Sequence, residues 1–471
     1  MSQDLDNKKK VLIIAYYFPP LGMGGVQRVS KFVKYLPSFG WEPVILTVKD
    51  IDYFSRDDSL LKELPESAKI YRTGSFDPLR LSYLIKKIFR TKTSDPERVA
   101  LRNSQKEKTE RFFPRKKRGQ NDRFFFSSSR SRGFKPLLKF ADLFLFPDNK
   151  IGWLPFALIK GIRICKKEKI NLLFSTSPPL TCHLVAFFLK KLTGIRWVAD
   201  YRDSYISYQN AKRPFSLKYL LLKSLQKSFL RRTDGVVSVN QTIAQHLKET
   251  YPPVGKIEVI TNGYDQEDFE VEVKKNKNIF RIIYFGTFSL DCPAEPFLKA
   301  LSNLLHQGKI SQDKIRFIHA GISIGMNIEK TIEEYGLKEV TELKGYLSHI
   351  EGIEKLLESD LALLTISQSV PVISTGKIYE YFGAQKSVLA IAPQDGEAAK
   401  LMQSLGAGKV VSPENIPEIE DAILSFYREF EAGRFLFKAT PDMTEKYERK
   451  YLTSRLACLF DDILKREWIV I

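Results

Sequence analysis

The chain has 471 residues with 74 Lys/Arg against 55 Asp/Glu, a formal net charge of +19, and is 43% hydrophobic and 12% aromatic. That length and apolar content exclude a mainly disordered protein and predict two or three domains with real cores. Four distant cysteines (Cys165, Cys182, Cys292, Cys458) without metal-like spacing predict free thiols, and no apolar run reaches the roughly 18 residues of a membrane span, so a soluble, cytoplasmic chain is expected.

The opening MSQDLDNKKK carries acids and runs straight into a strand, unlike a secretory leader. Val11 to Phe18 is a continuous apolar run suited to a buried parallel strand, ended by Pro19-Pro20. Gly22-Met23-Gly24-Gly25 follows, then a helix with Val26, Val29, Phe32, Val33 and Leu36 on one face, closed by Gly40. Pro43 to Val48 supplies the next strand, which completes a βαβ unit with a glycine-rich first turn. Gly24 and Gly25 are adjacent and no glycine stands three later, so this is not the dinucleotide fingerprint. A dehydrogenase or epimerase built on that fingerprint is thereby disfavoured. The two glycines still let a ligand approach the backbone closely, with Arg28 expected near the same mouth.

Residues 50–150 read poorly. Within them, residues 102–135 hold 12 Lys/Arg against 3 Asp/Glu, with Phe112-Phe113 and Phe124-Phe125-Phe126 interleaved. Such a basic, aromatic insertion suits an anionic membrane surface. It is also compatible with an inert loop, or with nucleic acid, whose binding would call for basic residues along a whole surface.

Alternation then resumes with a helix from Trp153 to Lys166, a strand from Asn171 to Ser175 and a helix from Leu180 to Leu192. A short strand, Trp197 to Asp200, delivers Asp200-Tyr201-Arg202-Asp203 to its carboxyl end. Asp200 there is placed to orient or deprotonate an acceptor hydroxyl, with Arg202 and Asp203 beside it; a helix cap at Asp203 and an internal Arg202–Asp ion pair are the plainer alternative. A helix from Leu217 to Leu230, a strand from Gly235 to Val239, a helix near Thr242 and a strand from Ile257 to Ile260 end this half at Thr261-Asn262-Gly263-Tyr264-Asp265. Among the scattered histidines, His183 and His319 fit core positions better than functional ones.

After a polar linker at 271–278, a second series opens with Phe280 to Thr287 and continues through Ile315 to His319, Leu361 to Thr365, Val388 to Ile391 and Lys409 to Ser412. Residues 440–466 read as helix. Its central stretch is Ser374-Thr375-Gly376-Lys377-Ile378-Tyr379-Glu380-Tyr381-Phe382, a strand-to-helix junction. Small residues at a helix start, with Lys377 in the first turn, suit an anion such as a diphosphate. Glu380, one turn on, suits sugar hydroxyls. A helix cap and a solvated Lys–Glu pair would look the same. Two α/β halves, each opening on a strand and a glycine turn, predict a doubly wound pair whose ligands sit in the cleft between them.

Taken together, VLIIAYYFPPLGMGGVQRV, STSPPL followed by WVADYRDSY, VITNGYD and STGKIYEYFGAQKSVLAIAP resemble retaining glycosyltransferases of the GT-B fold related to glycosyltransferase family 4. PDNKIGWLPFA resembles a segment of a bacterial branch of these enzymes. The resemblance implies two Rossmann-like domains: residues 1–270 for the acceptor (with the basic insertion at about 102–135), residues 279–440 for the nucleotide-sugar, and a helix at 441–471 packed back on the first. It implies transfer of a sugar from a nucleotide-diphosphate donor to a saccharide or lipid-linked acceptor in cell-surface polysaccharide assembly, with no metal or cofactor; nucleic acid is disfavoured as a partner because the basic excess is concentrated in one insertion. The alternative is an inactive nucleotide- or saccharide-binding relative. Catalytic roles fall to Asp200, Arg202, Asp203 and Lys377, and donor binding to Gly24, Gly25, Gly286, Thr287, Ser374, Thr375, Gly376 and Glu380. Glu380 matches the glutamate that binds the donor ribose in the family. Two departures stand out. The partner glutamate eight positions earlier is Val372, and the arginine and lysine that clamp the diphosphate after the glycine turn are absent from Gly286-Thr287-Phe288-Ser289-Leu290-Asp291-Cys292-Pro293. Lys377 and Arg202 are left to carry the phosphate charge.

Overall fold

A computed structural model describes residues 9–22, 24–49, 56–76, 145–203, 216–251, 255–274, 278–369, 376–434, 437 and 439–465. The basic insertion at 102–135, Val372, Ser374 and Thr375 lie outside the described residues. The first sheet comprises β1 (Lys9–Ile14), β2 (Trp41–Val48), β3 (Lys69–Thr73), β4 (Leu172–Ser177), β5 (Arg196–Tyr201), β6 (Gly235–Ser238) and β7 (Ile257–Val259), in the order β3-β2-β1-β4-β5-β6-β7. The second comprises β8 (Phe280–Phe285), β9 (Ile315–Ala320), β10 (Thr341–Gly345), β11 (Leu361–Thr365), β12 (Ser387–Ile391) and β13 (Gly408–Val411), in the order β10-β9-β8-β11-β12-β13. Every pairing is parallel. Strand order reverses between β1 and β4 and again between β8 and β11, and at such points the loops at the carboxyl ends part to leave a crevice.

The central strands are apolar runs because both of their faces are covered: Val11 to Ile14 and Leu361 to Leu364 are all buried. The sequence reading did not anticipate β3 and β10. Both are edge strands, and KIYRT and TELKG show the mixed burial of strands covered on one side only. The first helix, Gly24–Tyr35, buries Val26, Val29, Phe32 and Val33 as its periodicity requires. The last helix, Arg449–Lys465, leaves the second sheet and packs Leu452, Leu456, Phe460 and Ile463 with Val11, Ile13, Phe174 and Val198 of the first core. Among the described residues no helix is long and apolar enough to cross a membrane.

Charged side chains join the two halves at the hinge. The Lys31 ammonium lies 2.7 Å from Glu63, 2.7 Å from Asp265 and 2.8 Å from Asp268, and Lys34 and Tyr35 also hold Asp265. Those three carboxylates are spaced as metal ligands would be, and a lysine fills their centre. Burial opposes the Lys31 charge, but Asp268, Asp265 and Glu63 outweigh it and hold the pKa above the ordinary lysine value.

His349, from the second domain, closes the same network. Its Nε2 lies 2.9 Å from Asp268 and its backbone N–H donates to Asp57 at 2.8 Å. The Gln27 amide meets Nδ1 at 2.8 Å, so the neutral ring donates through Nε2. Burial disfavours the imidazolium, but the hydrogen bond and charge of Asp268, with a smaller pull from Glu380, raise the pKa despite Lys31. A raised pKa stabilises the fold fully below the unfolded value of about 6.5, and that stabilisation is lost as pH rises through the higher folded value. The melting-temperature advantage of wild type over His349→Asn is therefore expected to be largest near pH 6 and to shrink toward alkaline pH. A difference that stays constant with pH would assign the contribution to packing alone.

Candidate active site

At the carboxyl ends of β4 and β5, Arg202 spends its guanidinium on the backbone. Nη2 donates to Pro178 O at 2.7 Å, Nε to Ser177 O at 3.3 Å, and Nη1 to Gly25 O. The arginine thus staples the start of the first helix to the β4 turn. A Cβ at Gly25 would lie 2.7 Å from Arg202 Nη1, so a larger residue there would push the guanidinium aside. Asp203 is exposed beside it, and Gly24 opens the helix.

Asp200 departs from expectation: it does not offer its carboxylate to the cleft. It is fully buried and accepts from Arg28 Nη2 at 2.9 Å, Arg28 Nε at 3.3 Å and Thr176 Oγ1 at 2.8 Å. Arg28, equally buried, also donates to Thr261 O at 2.6 Å and Ile260 O at 2.8 Å, so it is not at the mouth either. The ion pair expected inside the Arg202–Asp segment forms with Arg28 instead, because Arg202 turns outward to the loops.

In the second domain, β8 is followed by Gly286, whose φ of +144° is open to glycine and strained for other residues. Lys377 lies directly against it. Its Nζ donates to the Tyr284 hydroxyl at 2.7 Å and sits 4.1 Å from the centre of that ring. The phenol in turn donates to Thr287 O at 2.9 Å. Tyr284 stacks on Phe288 at 3.8 Å, and the His319 ring nitrogen Nε2 reaches Gly286 O at 3.1 Å. Burial pushes His319 down to about 4, so near neutral pH it is an uncharged donor to that carbonyl. Burial also lowers Lys377, with Cys292 and Glu380 acting the other way.

A Cβ on Gly286 would lie 2.6 Å from Lys377 Nζ and closer still to Cε. Gly286→Ala is therefore expected to displace the lysine and strain the turn. It should weaken nucleotide binding at least tenfold, a loss of about 1.4 kcal/mol, as read by calorimetric titration. Wild-type affinity in this variant would show that Lys377 has no part in binding.

The helix Lys377–Gly383 is seven residues long, preceded by Gly376 without a side-chain cap. It buries Ile378, Tyr379, Tyr381 and Phe382. Tyr379 packs on Tyr447 with ring centres 5.3 Å apart, and Gly383 fits against Tyr264. Glu380, on this helix, is pushed up by burial, opposed by His349, Arg449 and Lys377 and reinforced by Asp268. Beyond it the cleft continues as a cavity of about 290 Å³ between the domains, lined by Asn240, Gln241, Thr261, Tyr379, Glu397 and Lys400.

Residues 118–268 match the family model described as Glycosyltransferase Family 4, under half of the chain. Solved structures match over both domains. Sucrose-phosphate synthase from Thermosynechococcus elongatus is 13% identical, covering 97% of this chain and 99% of its own, with a TM-score of 0.62. Anabaena HepE in complex with UDP-glucose is 12% identical, covering 96% and 99%, with a TM-score of 0.61. This chain has the GT-B fold. Staphylococcus aureus TarM, as a mutant complexed with fondaparinux, α-GlcNAc-glycerol and UDP, shares the GT-B architecture at 13% identity, 96% and 100% coverage and a TM-score of 0.56. No curated protein matches the sequence.

The structure thus brings Lys377 against Gly286 and Tyr284 at the end of β8, and separately ties Arg202 to Gly25 at the ends of β4 and β5. Sequence reasoning missed Tyr284 and His319 as the lysine's platform, and His349 and Arg449 as neighbours of Glu380. Tyr284 and His319 were hidden inside apolar strands. His349 and Arg449 give no local signal, because their partners are brought in by the hinge and by the returning last helix.

Proposed function

We propose that this GT-B protein transfers a sugar from a nucleoside-diphosphate donor to a saccharide or lipid-linked acceptor in cell-surface polysaccharide assembly, with retention at the anomeric carbon and without a metal or cofactor. The observation that carries this reading is the placing of Lys377 at the Gly286 turn, with Glu380 one turn along the same helix. Sugar transfer builds negative charge on the departing diphosphate, and a pre-oriented cation there stabilises the transition state more than the ground state. Tyr284 fixes the ammonium before substrate arrives, so little reorganisation is needed. Glu380 would take the ribose hydroxyls, and the Arg202-stapled glycine turn would face the donor from the other domain. Asp203, exposed at the β5 end, would be left as the acidic group on the acceptor side. The Glycosyltransferase Family 4 match and the UDP-glucose complex of HepE support this reading.

A thermal-shift panel of UDP, GDP, TDP and CMP is the test, followed by transfer assays with the sugar-nucleotide that the panel selects. One nucleotide at a hundred times its Kd should add about 2.7 kcal/mol to the domain that binds it. No shift with any of them would favour the inactive binding relative, which the missing arginine, lysine and glutamate of the family pattern also support.

The membrane reading extends from the basic insertion to the helix Leu217–Arg232. That helix carries five basic residues and no acid, while Leu217 and Leu220 are 64% and 52% exposed. A basic helix with bare leucines suits anionic lipid. The protein is expected to float with anionic vesicles and to stay behind with neutral ones; remaining soluble with both would end the membrane reading.

A further inference from the structure

Arg449 opens the last helix, where the chain crosses from the second domain back to the first. Its backbone is fixed on both sides: the N–H donates to Tyr264 O at 2.7 Å, and Thr453 Oγ1 donates to its carbonyl at 2.7 Å. The side chain is 4% exposed, and Nη1 is buried without a hydrogen-bond partner among the described residues. A buried guanidinium left in this state is costly unless its field is used.

The charged groups around it narrow that use. The charges whose fields reach Arg449 are those of Arg28, Glu380, Asp265 and Asp268. Arg28 is neutralised by Asp200. Asp265 is held by Lys31 and Lys34, and Asp268 by Lys31 and His349. Glu380 is the remaining carboxylate, and no hydrogen bond engages its side chain among the described residues. The helix bearing Glu380 rests on the segment bearing Arg449, through Tyr379 on Tyr447 and Gly383 on Tyr264. Two opposite charges, each without a hydrogen-bonded counterpart among the described residues, therefore sit on two segments packed against each other.

We propose that Arg449 is a positioning residue whose guanidinium keeps Glu380 ionised, so that this carboxylate can accept the ribose hydroxyls of the donor. The proposal rests on the donor-site reading above. A protonated Glu380 would keep one oxygen as a donor and lose half of its capacity to accept a vicinal diol. Burial drives Glu380 toward that neutral form, and Asp268 reinforces it, against Arg449, His349 and Lys377. Of the three opposing cations, His349 titrates and is bound to Asp268, and Lys377 is aimed at the phosphates. Burial lowers Arg449 only to about 10, so its charge persists where the His349 imidazolium is lost.

The experiment measures UDP affinity by calorimetric titration from pH 6 to 8.5, together with melting temperatures without nucleotide. Wild type, Arg449→Met, Arg449→Lys, Glu380→Gln and the Arg449→Met/Glu380→Gln double variant are compared. Wild-type affinity should be nearly flat with pH. In Arg449→Met it should fall roughly tenfold at pH 6, a loss of about 1.4 kcal/mol, and recover toward pH 8.5. Arg449→Lys should restore the flat profile, and Glu380→Gln should be weak and flat. Without nucleotide, the destabilisation by Arg449→Met should shrink as pH falls and Glu380 takes up a proton, and this dependence should vanish in the double variant. An equal loss of affinity at every pH, or no pH-dependent coupling in the melting cycle, would overturn the proposal. If the melting cycle couples the two residues while wild type binds no nucleotide, the donor-site reading fails and the Arg449–Glu380 pairing stands.

Discussion

Arg28→Met is expected to lower the stability of the first domain by about 3–5 kcal/mol, because it strands the Asp200 carboxylate in the core. Both side chains are fully buried, and they meet through two hydrogen bonds, at 2.9 and 3.3 Å. Methionine fills much of the arginine's volume, so the loss is electrostatic more than steric. Thr176 would then be the one remaining side-chain donor to Asp200 among the described residues, too little to replace water around a charge. For a domain of this size the melting transition should drop by roughly 10 °C or more. Replacing both members, as Arg28→Met/Asp200→Leu, should recover part of the loss, since a pair of apolar residues leaves no bare charge. A single substitution costing under about 1 kcal/mol would mean that the pair is not the clasp the geometry indicates. The consequence reaches the cleft. Arg28 also grips the carbonyls of Ile260 and Thr261, so losing it frees the first helix, and with it Gly24 and Gly25, from the hinge-side strand.

Lys377→Ala is expected to cost about 10²–10³ in turnover, equivalent to ~3–4 kcal/mol of transition-state stabilisation, with protein stability little changed. The side chain is the positive group that β8 and the following turn are shaped around: Gly286 makes room for it, Tyr284 orients it and Thr287 orients the phenol. Arginine should not rescue the loss, because its wider fork would meet Gly286 and the Tyr284 ring in a space fitted to an ammonium. Tyr284→Phe keeps the charge and removes its guide, so a smaller loss, about tenfold, is expected from an orientation that is no longer fixed. Because burial lowers the Lys377 pKa, donor affinity should begin to fall with rising pH before the ordinary lysine value of about 10.4 is reached. Unchanged turnover in Lys377→Ala, with the sugar-nucleotide the panel selects, would remove the lysine from the mechanism.

Much of this architecture was legible in the order of residues. Runs such as Val11 to Ile14 and Leu361 to Thr365 can be stable only with both faces covered, which requires parallel strands under helices. The Lys377–Gly383 helix was legible for the same reason, since Ile378, Tyr381 and Phe382 recur with the helical period and all three are buried. Two glycine turns at strand ends marked the cleft from both sides. Edge strands β3 and β10 escaped because half-solvated strands carry no such run.

What no local pattern could supply was the pairing of charges. DYRD invited an ion pair within itself, but the partner of Asp200 is Arg28, 172 residues earlier, and Arg202 is spent on the carbonyls of Gly25, Ser177 and Pro178. His349 meets Gln27 and Asp268 only because the hinge folds the second domain onto the first, and Arg449 reaches the neighbourhood of Glu380 only because the last helix returns. Apolar burial is a property of a segment and its period, so sequence alone determined the two doubly wound halves and the strand ends where ligands belong. The state of a charged group depends on a partner within a few ångströms and on the water excluded around both. Only the tertiary structure could decide which of the acids and bases named by the sequence face the cleft and which hold the fold together.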